Sequence, residues 1–169
     1  EAEQAVLDLV NGLDGGRFPT DLPGLWARRD GELIRNPPAA LDGDLDALPI
    51  RDFELFYDVI PAMERNYLCI TSRGCPNSCT FCPLDMYHRR YEEIGDRTRF
   101  RRRSVEGTLE ELRIIKARGR AQTISFMDEI FTLGRAWLDE FLAGYERDIG
   151  LPFWCYAYPA RIDRSLLRA

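Results

Sequence analysis

Three of the five cysteines in this chain lie within eight consecutive positions. They are Cys75, Cys79 and Cys82, separated by three and then by two residues in the stretch TSRGCPNSCTFCP. A [4Fe-4S] cluster is usually held by four thiolates. Three thiolates leave one iron with an open position, which is what separates a reactive metal site from a closed structural one. The spacing therefore predicts a cluster whose free iron can chelate the amino and carboxylate groups of a small ligand.

Two other metal sites are compatible with clustered cysteines. A structural zinc site or a ferredoxin-like electron-transfer cluster would each require a fourth ligand, and the spare thiols are Cys69 and Cys155. Both fall inside predicted strands, where a free cysteine is typically a small buried hydrophobe. The single histidine, His88, is interpreted as a loop residue near the cysteines rather than as a ligand.

Composition narrows the class of protein. The 169 residues are 45% hydrophobic and 30% charged, as in a globular domain with its own core. A net charge of -5 argues against a nucleic-acid binder, and no apolar run approaches the roughly 20 residues that span a bilayer. An odd number of cysteines, without a secretory signal, predicts a reducing compartment, and we expect a cytoplasmic protein.

The first 65 residues have an uneven pattern. Residues 2–12 predict a helix that ends at the Gly15-Gly16 pair, and Asp30-Gly31 between two short apolar runs predicts a β-hairpin. Residues 37–61 are rich in proline and aspartate, and they are interpreted as an irregular linker over a domain surface. We assign residues 1–65 to the end of an upstream domain with its linker.

Residues 66–169 predict an alternation of three strands and three helices. The strands are NYLCIT, QTISFM and FWCYAY, and the helices begin near Ser104, near Ala136 and at Asp163. This order favours parallel strands with right-handed crossovers. The predicted class is α/β, with the first three βα units of a (β/α) TIM-type barrel. Three units cannot close a barrel, so we expect this chain to be a piece of a longer protein.

Chemistry in parallel α/β folds is located at the carboxyl ends of the strands. The cysteine loop follows the first strand and Asp128 and Glu129 follow the second. Tyr156, Tyr158 and Arg161 lie at the end of the third strand or after it. We therefore expect these groups to converge on one face of the sheet.

Several of these residues also have a plain structural interpretation. Asp128 and Glu129 could cap the following helix, whose N-terminus favours carboxylates, and Arg161 could be a solvated side chain near Asp163. The basic run at residues 97–103, RTRFRRR, could hold an anion, but such a run is more typical of a solvated loop.

The cysteine loop resembles the signature of the radical S-adenosylmethionine (radical SAM) superfamily. The matching residues are Cys75, Cys79 and Cys82, with Phe81 as the aromatic residue before the last cysteine. The stretches ITSRGCPNSCTFCP, RFRRRSVEGTLEELR and ISFMDEIFTL look like the cobalamin-associated subgroup, and residues 30–60 are similar to the linker that follows its cobalamin domain. The resemblance covers most of the chain.

This resemblance implies roles for individual residues. The three cysteines would hold the [4Fe-4S] cluster, and Phe81 would pack on the adenine side of S-adenosylmethionine (SAM). Asp128, with Glu129 as the alternative, would contact the methionine amino group or the ribose. Tyr156 would face the active cavity, and Arg161 would pair with a carboxylate of the cofactor or substrate.

The resemblance also implies an activity and partners. A one-electron reductant of the flavodoxin or ferredoxin type would reduce the cluster, and SAM would be cleaved to a 5'-deoxyadenosyl radical that attacks a small-molecule substrate. Cobalamin-dependent methyl transfer to an unactivated carbon is one candidate reaction. Because the chain has no Asp-x-His-x-x-Gly loop, any cobalamin would bind through a region outside it, and the alternative is that there is no cobalamin site. We expect this piece alone to be inactive.

Overall fold

The computed structural model describes residues 1–57, 59–164 and 166. They form two compact units, each built from two chain segments. The first unit comprises Glu1–Asp42 with Asn77–Arg99, and the second comprises Gly43–Pro76 with Phe100–Ala169. This division does not coincide with the boundary between residues 65 and 66, which concerns the domains of a longer protein and stays a prediction.

The regular elements are short, and helices alternate with strands in the second half of the chain. In chain order they are α1 (Glu3–Asp14), β1 (Trp26–Arg29), β2 (Glu32–Arg35), α2 (Glu54–Tyr57), α3 (Ala62–Arg65), β3 (Asn66–Cys69), β4 (Ser72–Gly74), α4 (Pro83–Glu92), β5 (Phe100–Arg102), α5 (Val105–Ala117), β6 (Thr123–Phe126), α6 (Arg135–Asp148) and β7 (Phe153–Cys155).

The first unit confirms the predicted N-terminal helix and hairpin. Helix α1 ends at Gly15, whose amide donates to the Asn11 carbonyl at 3.1 Å. Strands β1 and β2 pair antiparallel around a two-residue turn in which Asp30 and Gly31 have φ of 51° and 86°. Positive φ at both positions is what a tight hairpin turn requires, and it explains the Asp-Gly sequence.

The second unit is built on a parallel sheet of three strands in the order β3-β6-β7. Helix α5 precedes β6, helix α6 connects β6 to β7, and both pack on the sheet, as their apolar residues at helical spacing predict. Ser104 caps α5, because its hydroxyl accepts the Gly107 amide at 2.9 Å. The core is formed by residues of the strands and both helices, and its largest fully buried side chains include Tyr67, Phe126, Phe131 and Phe141.

Among its described residues, the segment 37–61 contains a 3-10 helix at Leu45–Ala47 and the short helix α2. Its interpretation as a linker over a domain surface is also wrong in one respect. Leu45 and Phe53 are buried, and the ring of Phe53 packs against Tyr67 at a centroid distance of 4.8 Å. Isolated apolar residues between prolines and aspartates have no periodicity, so the pattern alone could not reveal that this segment contributes to the core.

Three elements between β3 and α5 were not predicted. Strands β4 and β5 form an antiparallel pair, and α4 follows the cysteine loop. The interpretation of His88 as a loop residue is therefore wrong: it lies in α4 and is buried. Residues 100–102 of the basic run form β5 and are half-buried rather than a solvated loop, because their arginines bind partners within the protein.

Only the start of the predicted third helix lies among the described residues. Asp163 accepts the Leu166 amide at 2.8 Å, as expected for the start of a helix, and the remainder of the predicted third helix lies outside the described residues. The three parallel strands are consistent with an α/β class, whereas the partial barrel stays a prediction. In the part of the chain that the structure describes, no helix is both long enough and apolar enough to cross a membrane.

The aromatic core predicts that two phenylalanines contribute very differently to the free energy of unfolding. Phe141 is fully buried and touches four other aromatic rings, whereas Phe81 is 90% exposed. Phe141→Ala should lower the free energy of unfolding by about 3–5 kcal/mol, because a large cavity remains. The same change at Phe81 should cost under about 0.5 kcal/mol. Urea denaturation followed by circular dichroism measures both, and equal losses would contradict the assigned core.

Candidate functional site

The segments that follow β6 and β7 at the carboxyl end of the sheet carry Asp128, Glu129 and Tyr156. Directly after β6, the Met127 amide donates to the carbonyl of Cys69, the last residue of β3, at 2.8 Å. Beyond β6 and β7, the Phe131 amide donates to the Tyr156 carbonyl at 2.9 Å. The segments that leave the three strands are thus joined by backbone hydrogen bonds, as the parallel topology predicts.

Asp128 lies at the centre of this edge and is completely buried. Its carboxylate accepts the Thr71 amide at 3.1 Å, the Thr71 hydroxyl at 2.7 Å and the Ser72 hydroxyl. It does not cap the following helix, since α6 begins at Arg135 with Gly134 as its N-cap. Asp128 therefore binds the chain segment between β3 and β4.

Glu129, next in sequence, has the opposite environment. Its side chain is exposed at the same edge of the sheet. Partial desolvation, together with the neighbouring Asp128 carboxylate, raises the pKa of Glu129. Of the two carboxylates, Glu129 is thus the one that is accessible to a ligand.

Tyr156 follows β7 and is half exposed, with its ring edge-on to Trp154 at 5.2 Å. Tyr158 is similarly exposed, and its amide lies 3.3 Å from the Thr132 hydroxyl. Arg161 ends a short 3-10 helix, Pro159–Arg161, and its side chain lies outside the described residues. Both tyrosines are therefore available at this edge.

The cysteine loop begins in the second unit and ends in the first. Cys75 follows β4 directly and is buried, whereas Cys79 is exposed and Cys82 is half-buried; all three are free thiols. The Cys82 amide donates to the Cys79 carbonyl at 3.0 Å, which forms a turn between these two residues. Cys82 is also the N-cap of α4, with Pro83 in the first turn. A helix N-terminus favours negative charge, such as that of a thiolate ligand.

Arg99 fixes the first-unit part of this loop. Its guanidinium donates to the Ser78 hydroxyl at 2.9 Å and to Glu92 at 3.0 Å, and it lies 3.6 Å from Asp85. Hydrogen bonds from Arg89 and Ser78 lower the pKa of Asp85. The residue before Cys79 is thus tied to helix α4.

An open groove of about 1020 Å³ lies within the first unit, and both Cys79 and Cys82 line it. Charged residues of α4 and Arg99 form much of the remaining wall. Phe81 is outside this lining, and its ring is 90% exposed. The groove makes these two thiols reachable from solvent.

The donor set of the loop fits an iron-sulfur cluster, because such clusters are bound by cysteine thiolates and three free thiols follow one another within the loop. The residues that the structure describes contain no group of three or more His, Cys, Asp or Glu side chains placed to hold a metal ion. The ligand role of the three cysteines therefore stays a prediction.

The other two cysteines belong to the packing of the second unit, as expected. Cys69 is fully buried in the core, and Cys155 packs against it from β7. Burial, and then the carboxylates of Glu111 and Asp128, raises the pKa of Cys69. Burial also raises the pKa of Cys155. These environments favour neutral thiols, which are poor metal ligands.

Arg102 is an important residue that the sequence reasoning missed. Its guanidinium donates to the carbonyls of Leu133 and Phe131, the latter at 3.0 Å, and lies 4.3 Å from the centre of the Trp137 ring. Burial lowers its pKa. Thr71, Ser72 and Ser78 were also missed, because small hydroxyl residues carry no distinctive sequence signal.

Thiol accessibility gives a direct test of these placements. In the metal-free chain at pH 8, iodoacetamide should label Cys79 at least about a hundredfold faster than Cys69, since a core thiol reacts only when the structure opens. Mass spectrometry of the cysteine peptides measures both rates, and in concentrated urea the two should become similar. Comparable rates in native buffer would contradict the burial of Cys69.

Comparisons with known proteins give two distant relatives, and no protein-family model matches the chain. It is 31% identical over 141 residues to a protein of Pyrococcus horikoshii named "Uncharacterized methyltransferase PH0819", covering 80% of this chain and 28% of that protein. It is 29% identical over 160 residues to the "Anaerobic magnesium-protoporphyrin IX monomethyl ester cyclase" of Rubrivivax gelatinosus, covering 89% of this chain and 27% of that protein. The chain thus spans just over a quarter of each relative, and both relatives bear the names of enzymes.

Proposed function

We propose that this chain is part of a radical SAM enzyme in which Cys75, Cys79 and Cys82 hold a [4Fe-4S] cluster. The observation that carries the proposal is the cysteine loop itself. Three free thiols, spaced by three and two residues, follow β4, the short strand that comes after β3 of the parallel sheet. Similarity to two proteins that are named as enzymes supports an enzymatic role.

The environment of each cysteine suits its proposed role. Cys82 caps α4, so its thiolate would gain from the partial positive charge of the helix N-terminus. Cys79 is exposed and lines the groove, which leaves it open to incoming iron. Cys75 is buried, which limits solvent contact for one ligand. A bound and reduced cluster would supply one electron for the reductive cleavage of SAM.

The polar residues at the sheet edge would bind the ligands of this reaction. Glu129 is the better candidate for a contact with the amino group or ribose of SAM, because it is exposed while Asp128 is occupied by Thr71 and Ser72. We propose Tyr156 as a residue that faces the substrate, and Phe81, with its exposed ring, as a surface for the adenine. Arg161 is proposed as a partner for a carboxylate.

For the reaction, we propose only a class, and for the remaining partners only their chemical type. Methyl transfer is the reaction class we favour, because one relative is named a methyltransferase. The β3-β6-β7 sheet would be the first part of a (β/α) barrel. A one-electron reductant would deliver the electron, and any cobalamin would bind through a region outside this chain.

Cluster assembly tests the proposal first. Anaerobic reconstitution with ferrous iron and sulfide should give a brown protein with about four irons per chain. Cys79→Ala should lose the cluster, whereas the double variant Cys69→Ala, Cys155→Ala should keep it, because those thiols pack in the core. Iron and sulfide analysis measures both results. A colourless protein with one zinc per chain, or loss of the cluster in the double variant, would refute the site.

SAM cleavage tests the reaction. The gene product at its natural length, reduced with dithionite and given SAM, should release 5'-deoxyadenosine, which chromatography detects. The Cys79→Ala variant of the same protein should release none. A brown protein that binds four irons but never yields 5'-deoxyadenosine would favour an electron carrier instead.

A further inference from the structure

Two charged residues, one buried and one half-buried, join the β4–β5 pair to the loop that follows β6. Asp128 begins this loop and binds the residues that enter β4. Arg102 lies in β5 and binds the end of the same loop. Because β4 leads directly to Cys75, these contacts act on the first cysteine of the site.

Asp128 and the residues that donate hydrogen bonds to it are fully buried. The carboxylate, Thr71 and Ser72 are each 1% exposed or less. One amide and two hydroxyl groups donate to it, so its oxygens are directed at the chain between β3 and β4. Hydrogen bonds to a buried carboxylate are stronger than those between neutral groups, and removing the charge would loosen this segment.

The Arg102 contacts hold the far end of the loop that follows β6. Its guanidinium reaches the carbonyls of Phe131 and Leu133 and rests on the Trp137 ring. A planar guanidinium can donate to two carbonyls while stacked on an aromatic ring, which a lysine ammonium cannot do in the same way. Arg102 thereby fixes the path of the chain after Glu129.

The two sets of contacts form a closed ring. Ser72 in β4 pairs with Arg102 in β5, Ser72 binds Asp128, and the chain from Asp128 to Leu133 returns to Arg102. A closed ring resists displacement of any one segment better than separate contacts do. Cys75 is three residues beyond Ser72, and Glu129 lies within the ring.

We propose that Asp128 and Arg102 are positioning residues that hold Cys75 and Glu129 in place before any ligand binds. This assignment rests on the proposed function for the roles of those two residues. This positioning role replaces the expectation that Asp128 contacts SAM. Asp128 binds the protein chain at Ser72, and the strand from Ser72 to Gly74 leads directly to Cys75.

Labelling of Cys75 in the metal-free chain tests the proposal. Asp128→Asn should accelerate its reaction with iodoacetamide about tenfold, equivalent to about 1.4 kcal/mol, because the segment that buries it opens more often. Ser72→Ala removes one donor and should give a smaller acceleration of about threefold. Arg102→Lys should also accelerate Cys75 labelling. The matched controls are Asp139→Asn and Arg118→Lys, whose exposed side chains form surface ion pairs.

Two other cysteines serve as internal controls in the labelling experiment. Cys79 is already exposed, so its rate should remain unchanged in every variant. Cys69 in the core should stay protected. If Cys69 is labelled as fast as Cys75, the variant unfolds globally. If the Cys75 rate is unchanged in both Asp128→Asn and Ser72→Ala, the ring of contacts does not position Cys75. Either result would overturn the proposal.

The cluster gives a second measurement that separates this proposal from the proposed function. In reconstituted Asp128→Asn, the electron paramagnetic resonance signal of the reduced cluster should broaden, because one ligand is held less uniformly. If Asp128 instead contacted SAM, Cys75 labelling would be normal, and only the SAM concentration needed to perturb that signal would rise. Faster Cys75 labelling in a chain that assembles no cluster would support the positioning role while refuting the proposed function.

Discussion

A carboxylate without access to water has to find its hydrogen-bond donors inside the protein, and this requirement organises the second unit. Leaving a buried charge unpaired costs several kcal/mol, so the burial of Asp128 dictates that Thr71 and Ser72 approach it. Pairing of β3 with β6 brings the strand ends together, but the carboxylate determines where the chain goes after β3. The entrance to the cysteine loop is therefore set by electrostatics as much as by the sheet.

Two adjacent arginines bind different parts of the second unit. Arg102 binds the loop after β6, while Arg103 pairs with Glu111 of α5, which also accepts the Tyr67 hydroxyl at 2.6 Å. In the first unit, Arg99 binds Ser78 beside Cys79. In each unit a charged network holds a hydroxyl residue close in sequence to a cysteine, so it constrains the backbone beside that cysteine.

The sequence predicted those parts of the fold that have a strong local pattern. Helices α5 and α6 show apolar spacing and end signals, and the Asp30-Gly31 turn identifies the hairpin. Strands β4 and β5 have three residues each, too few for an alternation to be recognised, and their arginines resemble a solvated run. The role of Asp128 depends on residues 56 and 57 positions away in the chain. Its acidity and position at a strand end were visible, but its partners were not.

The short strand β7 has a consequence for how the chain behaves at high concentration. Among the described residues it pairs only with β6, and the side chains of Phe153 and Trp154, which point to opposite faces of the sheet, are both partly exposed. An edge strand with unpaired backbone groups and aromatic side chains is a template for a strand of another molecule. β7 is therefore an edge at which a strand of a second molecule could extend the sheet, and it contains Cys155 but none of the three clustered cysteines.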